Sequence, residues 1–267
     1  MKYKLIIADF DGTLGNVPDY VHPDTVKAIK QFQKNGGIFS IITGRSYSSV
    51  SAICEKYQLK CTVASFQGAR ITDLSKGLEL FNDGIPPKEA YTLIKEVLEY
   101  GFPVVAWADD SLYYREESFY SYLYTNKLEQ AKFVQTDDVA KKVLEDGNPV
   151  GKICVVVPEE LTEEVAYKLS QRYDGKYTAN SGAKRLIEII RPDLNKGVAV
   201  RKIAEYYGIS LDQVLTVGDS TNDLMLIDGE WHGVAVGDAS EQLKKVAKEI
   251  TVPYSQNPVK VLIEKYS

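Results

Sequence analysis

Over the first eighty positions, short apolar blocks alternate with amphipathic stretches. LIIA (residues 5 to 8) reads as a buried strand, PDTVKAIKQFQKNGG as an amphipathic helix ended by glycine, and IFSIITG as a second strand. Strand, helix, strand in that order makes one βαβ unit of a parallel sheet. SYSSVSAICEKYQ continues as a helix and CTVASF as a strand. GARITD and GLELF then read as a short hairpin at the sheet's edge.

The texture changes at NDGIPP (82 to 87), a cluster of turn formers and prolines that suits a linker into a separate module. Beyond it, KEAYTLIKEVLEYG predicts a helix and PVVAWADDSLYYREE two strands about a tight turn. A Tyr-rich segment, FYSYLYT, leads to the helical VAKKVLED, the strand GKICVVVP and the helix PEELTEEVAYKLSQRY. YTANSG and RLIEIIRP close the module as two more strands. Hairpins mixed with helices describe an α+β insert. At RPDLNKG (191 to 197) the alternation returns: NKGVAVRKIAEYYG helix, DQVLTVGD strand, TNDLMLID helix, HGVAVG strand, SEQLKKVAKE helix. Asp238 with Glu241 and Ser210 with Gln213 have capping-box spacing, although Ser210 precedes a strand and could only be capping a turn there.

At 267 residues, 44% hydrophobic and 26% charged, the chain is long enough for one large domain or two modest ones. Its net charge of −5 with mixed signs leaves no basic stripe for nucleic acid or an anionic membrane, so an anionic substrate needs local cations. Cys54, Cys61 and Cys154 are odd in number and lack CxxC spacing, which supports neither a disulfide framework nor a zinc site and fits a reducing, cytoplasmic setting. With only His22 and His232, and no GxSxG, catalysis falls to carboxylates. MKYKLIIADF meets Asp9 too early for a signal-peptide core, and no apolar stretch approaches the ~18 residues of a membrane span.

Asp9 and Asp11 end the first strand, where positions i and i+2 face the same side. Two acids there repel unless a cation or a ring of donors offsets them; otherwise Asp11-Gly12 is an ordinary turn beside an N-cap. Three more signals fall at the C-terminal ends of core strands, where open α/β sheets bind ligands. In ITGR, Thr43 brings a hydroxyl and Gly44 an unobstructed N–H, a pairing able to hold a phosphate oxygen or merely to make a turn. In LNKG, Lys196 sits at a helix start, where a cation is disfavoured unless an anion is near or the side chain is solvated. In VGDSTNDLML, Asp219 ends a strand and Asn222-Asp223 follow. With Asp9 and the neighbourhood of Asp11 these make an oxygen site for Mg²⁺, the competing reading being Asp219 as an N-cap.

Taken in the order DFDGTL, ITGR, NKG, GDSTND, these residues resemble the haloacid dehalogenase superfamily, specifically its Cof-type phosphatases with the larger, type-two cap. The resemblance implies an α/β fold: a Rossmann-like parallel-sheet core of residues 1–82 and 190–267, with an inserted α+β cap at 83–189. It implies that Asp9 is the nucleophile that becomes an aspartyl phosphate and Asp11 the general acid and base. Phe10 (through its amide), Thr43, Gly44, Lys196 and Asn222 would bind phosphate. Mg²⁺ would be held by Asp9, Asp219 and the Asp11 carbonyl, with Asp223 behind them. Two stretches depart from the family pattern: Gln67-Gly68-Ala69 stands where Asn-Gly-Ala is usual, and TVPYSQNPVKVLIEKY lacks the later Ser-Asn…Asp-Gly-Val-Ala segment.

The expected function is hydrolysis of a small phosphorylated metabolite, a sugar phosphate foremost. The alternatives are a phosphotransferase or sugar-phosphate mutase of the same superfamily and, in another class, a silent metabolite-binding protein, which the intact catalytic positions disfavour. Arg45, Lys184 and Arg185 are candidates for the leaving group's side of the pocket, with a surface salt bridge the competing reading for Arg45. The insert's aromatics, Trp107, Tyr113, Tyr114, Phe119, Tyr120, Tyr122 and Tyr124, read first as core.

Overall fold

A computed structural model describes residues 1–16, 20–116, 131–173, 175–183 and 185–267. The first strand, β1 (Leu5–Asp9), is buried at every position. Helix α1 (Pro23–Lys34) begins with His22 as N-cap and a proline in its first turn. It buries Thr25, Ile29 and Phe32, spaced to line one face. There follow β2 (Ile38–Ile42), α2 (Tyr47–Tyr57), β3 (Thr62–Ser65), β4 (Arg70–Asp73) and β5 (Leu78–Asn82).

The chain continues through α3 (Pro87–Leu98), β6 (Val104–Ala108), β7 (Ser111–Tyr114), β8 (Lys132–Gln135), α4 (Val139–Asp146), β9 (Val150–Val156), α5 (Thr162–Tyr173), β10 (Thr178–Ala183) and β11 (Leu186–Ile190). It ends with α6 (Lys196–Tyr207), β12 (Val214–Gly218), α7 (Leu224–Ile227), β13 (His232–Ala235), α8 (Glu241–Val246), β14 (Glu249–Ile250) and α9 (Pro258–Tyr266). These elements form two compact units: Met1–Arg45 with Val50–Phe81 and Asn195–Ser267, and Ser46–Ser49 with Asn82–Leu194.

In the first unit an eight-stranded sheet runs β14-β13-β12-β1-β2-β3-β4-β5. It is parallel from β14 to β3 and turns antiparallel at β4. The register sets Asp9 opposite Ile42 and Ala8 opposite Val217, so Asp9, Thr43 and Asp219 leave the sheet side by side at its C-terminal edge. In the second unit a six-stranded sheet runs β10-β11-β9-β6-β7-β8, antiparallel except where β7 meets β8. Ala90, Ile94 and Val97 of α3, Val139 and Val143 of α4 and Leu169 of α5 pack with Val104, Ala106, Ile153, Val155, Ile187 and Ile189. That puts alternate strand positions on one helix-covered face. Trp107 and Tyr113 are buried; Phe119, Tyr120, Tyr122 and Tyr124 lie outside the described residues. Cys54, Cys61 and Cys154 are buried and in no disulfide, and among the described residues no helix is long and apolar enough to cross a membrane.

Several local expectations are corrected. The last predicted helix stops at Val246, because Lys248 donates its N–H to the Gly233 carbonyl and draws Glu249–Ile250 into the sheet beside β13. Its cap is Ser240, which accepts from the Leu243 N–H; Asp238 instead accepts from the Tyr254 N–H. Ser210 precedes a 3₁₀ turn without capping it through its side chain. TNDLMLID splits into a 3₁₀ turn at Thr221–Asp223 and the short α7. Strand β8 and helix α9 were not anticipated. The signal for α9 is Asn257-Pro258 followed by Val259, Leu262 and Ile263 on one buried stripe.

Sheet and C-terminal helix are tied at Glu249, which accepts from Tyr266 Oη (2.5 Å), His232 Nε2 (3.0 Å) and Lys265 Nζ (2.9 Å). Burial pushes its carboxyl up, but the bonds from Tyr266, His232 and Lys265 outweigh that and hold it at about 2. A depressed acid stabilises the fold above its unfolded value, and that stabilisation fades as pH falls toward the folded value. Glu249→Gln should therefore cost about 1–2 kcal/mol at pH 7. The gap between variant and parent urea midpoints should shrink by pH 3; an equal gap at both pH values would remove the charged carboxylate from the account.

Candidate active site

The site begins with a turn that only glycine can make. Phe10 O accepts from the N–H groups of Thr13, Leu14 and Gly15, which folds the chain back directly after β1. Gly12 has φ +84°, and a Cβ there would lie 2.6 Å from Asp219 Oδ2. The turn thus presses against the end of β12, and the Thr13 hydroxyl donates to Asp219 Oδ1 at 2.8 Å. Thr13 is a site contact that sequence reasoning missed; its only signal is a hydroxyl two positions after Asp11.

Asp9, at the end of β1, is 5% exposed. Lys196, in the first turn of α6, brings Nζ to 2.7 Å from Asp9 Oδ1 and 2.6 Å from Asp223 Oδ1, with Asn222 Oδ1 at 3.4 Å. Asn195 caps this helix by accepting from the Val198 N–H. Gly197 lets it approach the Met225 carbonyl, which a Cβ would meet at 2.6 Å. Asp223 is held independently: its Oδ2 accepts from the N–H groups of Asp219 and Ser220, and it forms a reciprocal capping box with Ser220. Its carboxylate lies over Gly218, where a Cβ would come within 2.7 Å of it.

Asp9, Asp219 and Asp223 each offer an oxygen, and these oxygens lie within 4.8 Å of one another. Burial, and then the Asp223 charge, push the Asp9 carboxyl well up against the opposing pull of Lys196. Burial also raises Asp219 to about 6, against the Thr13 hydrogen bond and with Asp223 adding to the rise. Burial lowers Lys196, but Asp223 and Asp9 outweigh it and leave the ammonium above its ordinary value. Three carboxylates around one ammonium leave negative charge in excess, and the donors are all oxygen. A hard divalent cation fits that set.

The phosphate-side candidates stand next to this cluster in the same unit. Thr43 is 1% exposed and its Oγ1 accepts from the Arg45 N–H at 3.2 Å, which leaves its own proton to be donated elsewhere. Gly44 lies under the Gln67 amide, whose Nε2 a Cβ would meet at 2.7 Å. Phe66 and Gln67 both have positive φ (50° and 60°), and Gln67 N–H bonds to the Thr43 carbonyl. Arg45 is buried and grips Asp11, Nε to Oδ2 at 2.8 Å and Nη2 to Oδ1 at 2.6 Å. Arg185 is exposed in the turn between β10 and β11 with φ 70°, its carbonyl accepting from Val157; Lys184 lies outside the described residues.

A family profile described as haloacid dehalogenase-like hydrolase matches residues 6–263. A 5-amino-6-(5-phospho-D-ribitylamino)uracil phosphatase of Bacillus subtilis is 26% identical over 273 residues, covering 99% of this chain and 98% of that protein. A haloacid dehalogenase-like hydrolase from Bacteroides thetaiotaomicron superposes with TM-score 0.85 at 23% identity, over 99% of each chain. A subclass IIB sugar phosphatase superposes with TM-score 0.77 at 18% identity, over 98% of each chain.

A carboxyl raised by its surroundings weakens the fold wherever it is ionised, so the penalty from Asp219 is absent below its unfolded value and complete above about 6. In chelator at pH 8, Asp219→Asn should raise the melting temperature by about 2–6 °C, since Asn keeps the Thr13 bond and sheds the charge. At pH 4 the two proteins should melt together. A lower melting temperature for the variant at pH 8 would mean that the carboxylate is not under electrostatic strain.

Proposed function

The chain belongs to the haloacid dehalogenase-like hydrolases and is a phosphatase, and from that premise we propose a Mg²⁺-dependent hydrolase of a small phosphorylated metabolite, acting through an aspartyl phosphate on Asp9. The observation that carries this reading is the contact of Lys196 Nζ with Asp9 Oδ1 at 2.7 Å inside the three-carboxylate cluster. An ammonium on one carboxylate oxygen pulls Asp9 toward its anionic form against the burial that raises it, a pull that a bound cation would complete, and leaves its second oxygen for attack on phosphorus.

Asp9, Asp219 and the Asp11 carbonyl would hold the cation, with Asp223 fixing its surroundings. Asp223 suits that supporting place because both of its oxygens are already engaged, by Lys196 and by two backbone N–H groups. When bound, Mg²⁺ supplies positive charge to the phosphoryl oxygens and to the Asp9 carboxylate. The Thr43 hydroxyl, the Gly44 and Phe10 N–H groups, Lys196 and the Asn222 amide would hold the remaining phosphoryl oxygens in line with Asp9. Asp11 would protonate the leaving oxygen and then take a proton from the water that opens the acyl phosphate.

For the substrate, the 26% identical relative is named as a phosphatase of 5-amino-6-(5-phospho-D-ribitylamino)uracil, whose phosphate sits on a ribityl chain, and this supports a sugar or polyol phosphate. Three buried cysteines outside any disulfide support work in a reducing compartment, the cytoplasm. The test is acid-quench trapping with mass spectrometry, using p-nitrophenyl phosphate beside a polyol phosphate, with and without Mg²⁺. The parent should carry phosphate on Asp9 only when Mg²⁺ is present. Asp9→Asn should fold, bind and lose several orders of magnitude in kcat. Phosphate on another residue, or turnover unaffected by chelator, would overturn the reading.

A further inference from the structure

We infer that Arg45 is a positioning residue for Asp11, holding the Asp11 carboxylate in the pose from which it transfers a proton. The inference rests on the proposed role of Asp11.

The contact is a two-pronged fork, Nε to Oδ2 at 2.8 Å and Nη2 to Oδ1 at 2.6 Å, so it fixes the plane of the carboxylate as well as its distance. An ordinary surface ion pair exposes both partners and contributes little. Here the partners differ: the Arg45 side chain is 8% exposed and that of Asp11 45%. The guanidinium is also fixed from other directions. It lies over the Phe10 ring, 4.7 Å from the centroid, and Phe10 is itself fully buried. The Arg45 N–H donates to Thr43 Oγ1 at 3.2 Å, and its carbonyl accepts from the Phe66 N–H at 3.0 Å.

Asp11 sits on the glycine turn that follows β1, and a half-exposed aspartate on such a turn has several rotamers open to it. The fork selects one of them and takes one lone pair on each oxygen, while the exposed edge of the carboxylate keeps its other lone pairs for a proton. A group that must hand a proton to a leaving oxygen and later draw one from water needs that combination of a fixed pose and an open face. Arg45 spends two of its N–H donors on both oxygens of Asp11, and the geometry assigns it to the proton-transfer group.

The experiment measures KM and the single-turnover rate of leaving-group release with Mg²⁺ for the parent, Asp11→Asn, Arg45→Gln and the double variant, which isolates the first step from the acyl-phosphate hydrolysis that all substrates share. The substrates are p-nitrophenyl phosphate, whose leaving group needs no proton, and a pentitol 5-phosphate, whose leaving alkoxide does. Arg45→Gln should slow release from the pentitol ester by about 10–100-fold, and change KM and p-nitrophenolate release by less than about 3-fold. In the Asp11→Asn background it should add no further loss, because a residue that acts through Asp11 has nothing left to position. Arg45→Lys keeps a cation without the fork; it should show the same split more weakly, and it stands in if the Gln variant does not fold. Equal losses on both substrates, a change confined to KM, or an additive loss in the double variant would overturn the inference. If Asp11→Asn itself shows no leaving-group dependence, the proton-transfer role of Asp11 falls. A split with Asp11→Asn and none with Arg45→Gln overturns the Arg45 assignment alone.

Discussion

Most of the first unit's geometry serves one contact, the buried ammonium of Lys196 between Asp9 and Asp223. Removing an ammonium and two carboxylates from water costs several kcal/mol per ion, and only close, well-oriented pairing repays it. Lys196 lies in the first turn of a helix, the end that repels a cation, so the pair also works against the helix dipole. The contact is possible because four backbones come unusually close. Gly12, Gly197 and Gly218 stand where a Cβ would collide with Asp219, the Met225 carbonyl and Asp223, and Gly68 stands under the Asn195 carbonyl. Each glycine gives up some stability in its own turn so that charged groups from distant parts of the chain can meet.

Burial, and beside it the two negative charges that three carboxylates around one ammonium leave unpaired, makes Asp9 and Asp219 resist ionisation. A fold selected for stability alone would place apolar side chains of similar volume at these strand ends. Retaining three acids there is a standing strain that a bound cation and a phosphoryl group of opposite demands would relieve, one meeting the carboxylates and the other meeting Lys196 and the N–H donors. Under the proposed function, stability and activity are in this sense set against each other at the same residues.

The parts of this arrangement legible in the sequence are those fixed by local chemistry. LIIA before Asp9 and VLTVG before Asp219 read as strands because their apolar runs are short and end in polar turn formers. Both acids do leave the sheet at its C-terminal edge. The elements that escaped are those made by partners far along the chain. Strand β14 is only two residues long and exists because β13 offers an open edge, so its sequence, helical by periodicity, was overridden by pairing. Strand β8 is half exposed and pairs parallel with β7, which gives it no alternation to read. The grip of Arg45 on Asp11 joins positions 34 apart, and no local pattern distinguishes it from a solvated arginine after a strand.

That grip also explains the shape of the loop after β2. Thr43 uses its hydroxyl as acceptor for the Arg45 N–H, Phe66 donates to the Arg45 carbonyl, and Gln67 donates to the Thr43 carbonyl. Residues 43, 45, 66 and 67 are therefore laced into one rigid piece. The cost is two consecutive non-glycine residues in left-handed conformations, Phe66 and Gln67, which persist only where the surroundings hold them. The strain lies in the loop and not in the sheet. It places the Gln67 amide over Gly44, with its Oε1 buried and met by no hydrogen-bond donor among the described residues. The lacing holds the Thr43 hydroxyl, the Gly44 backbone and the Arg45 fork in one frame, so a displacement of any of them moves the others.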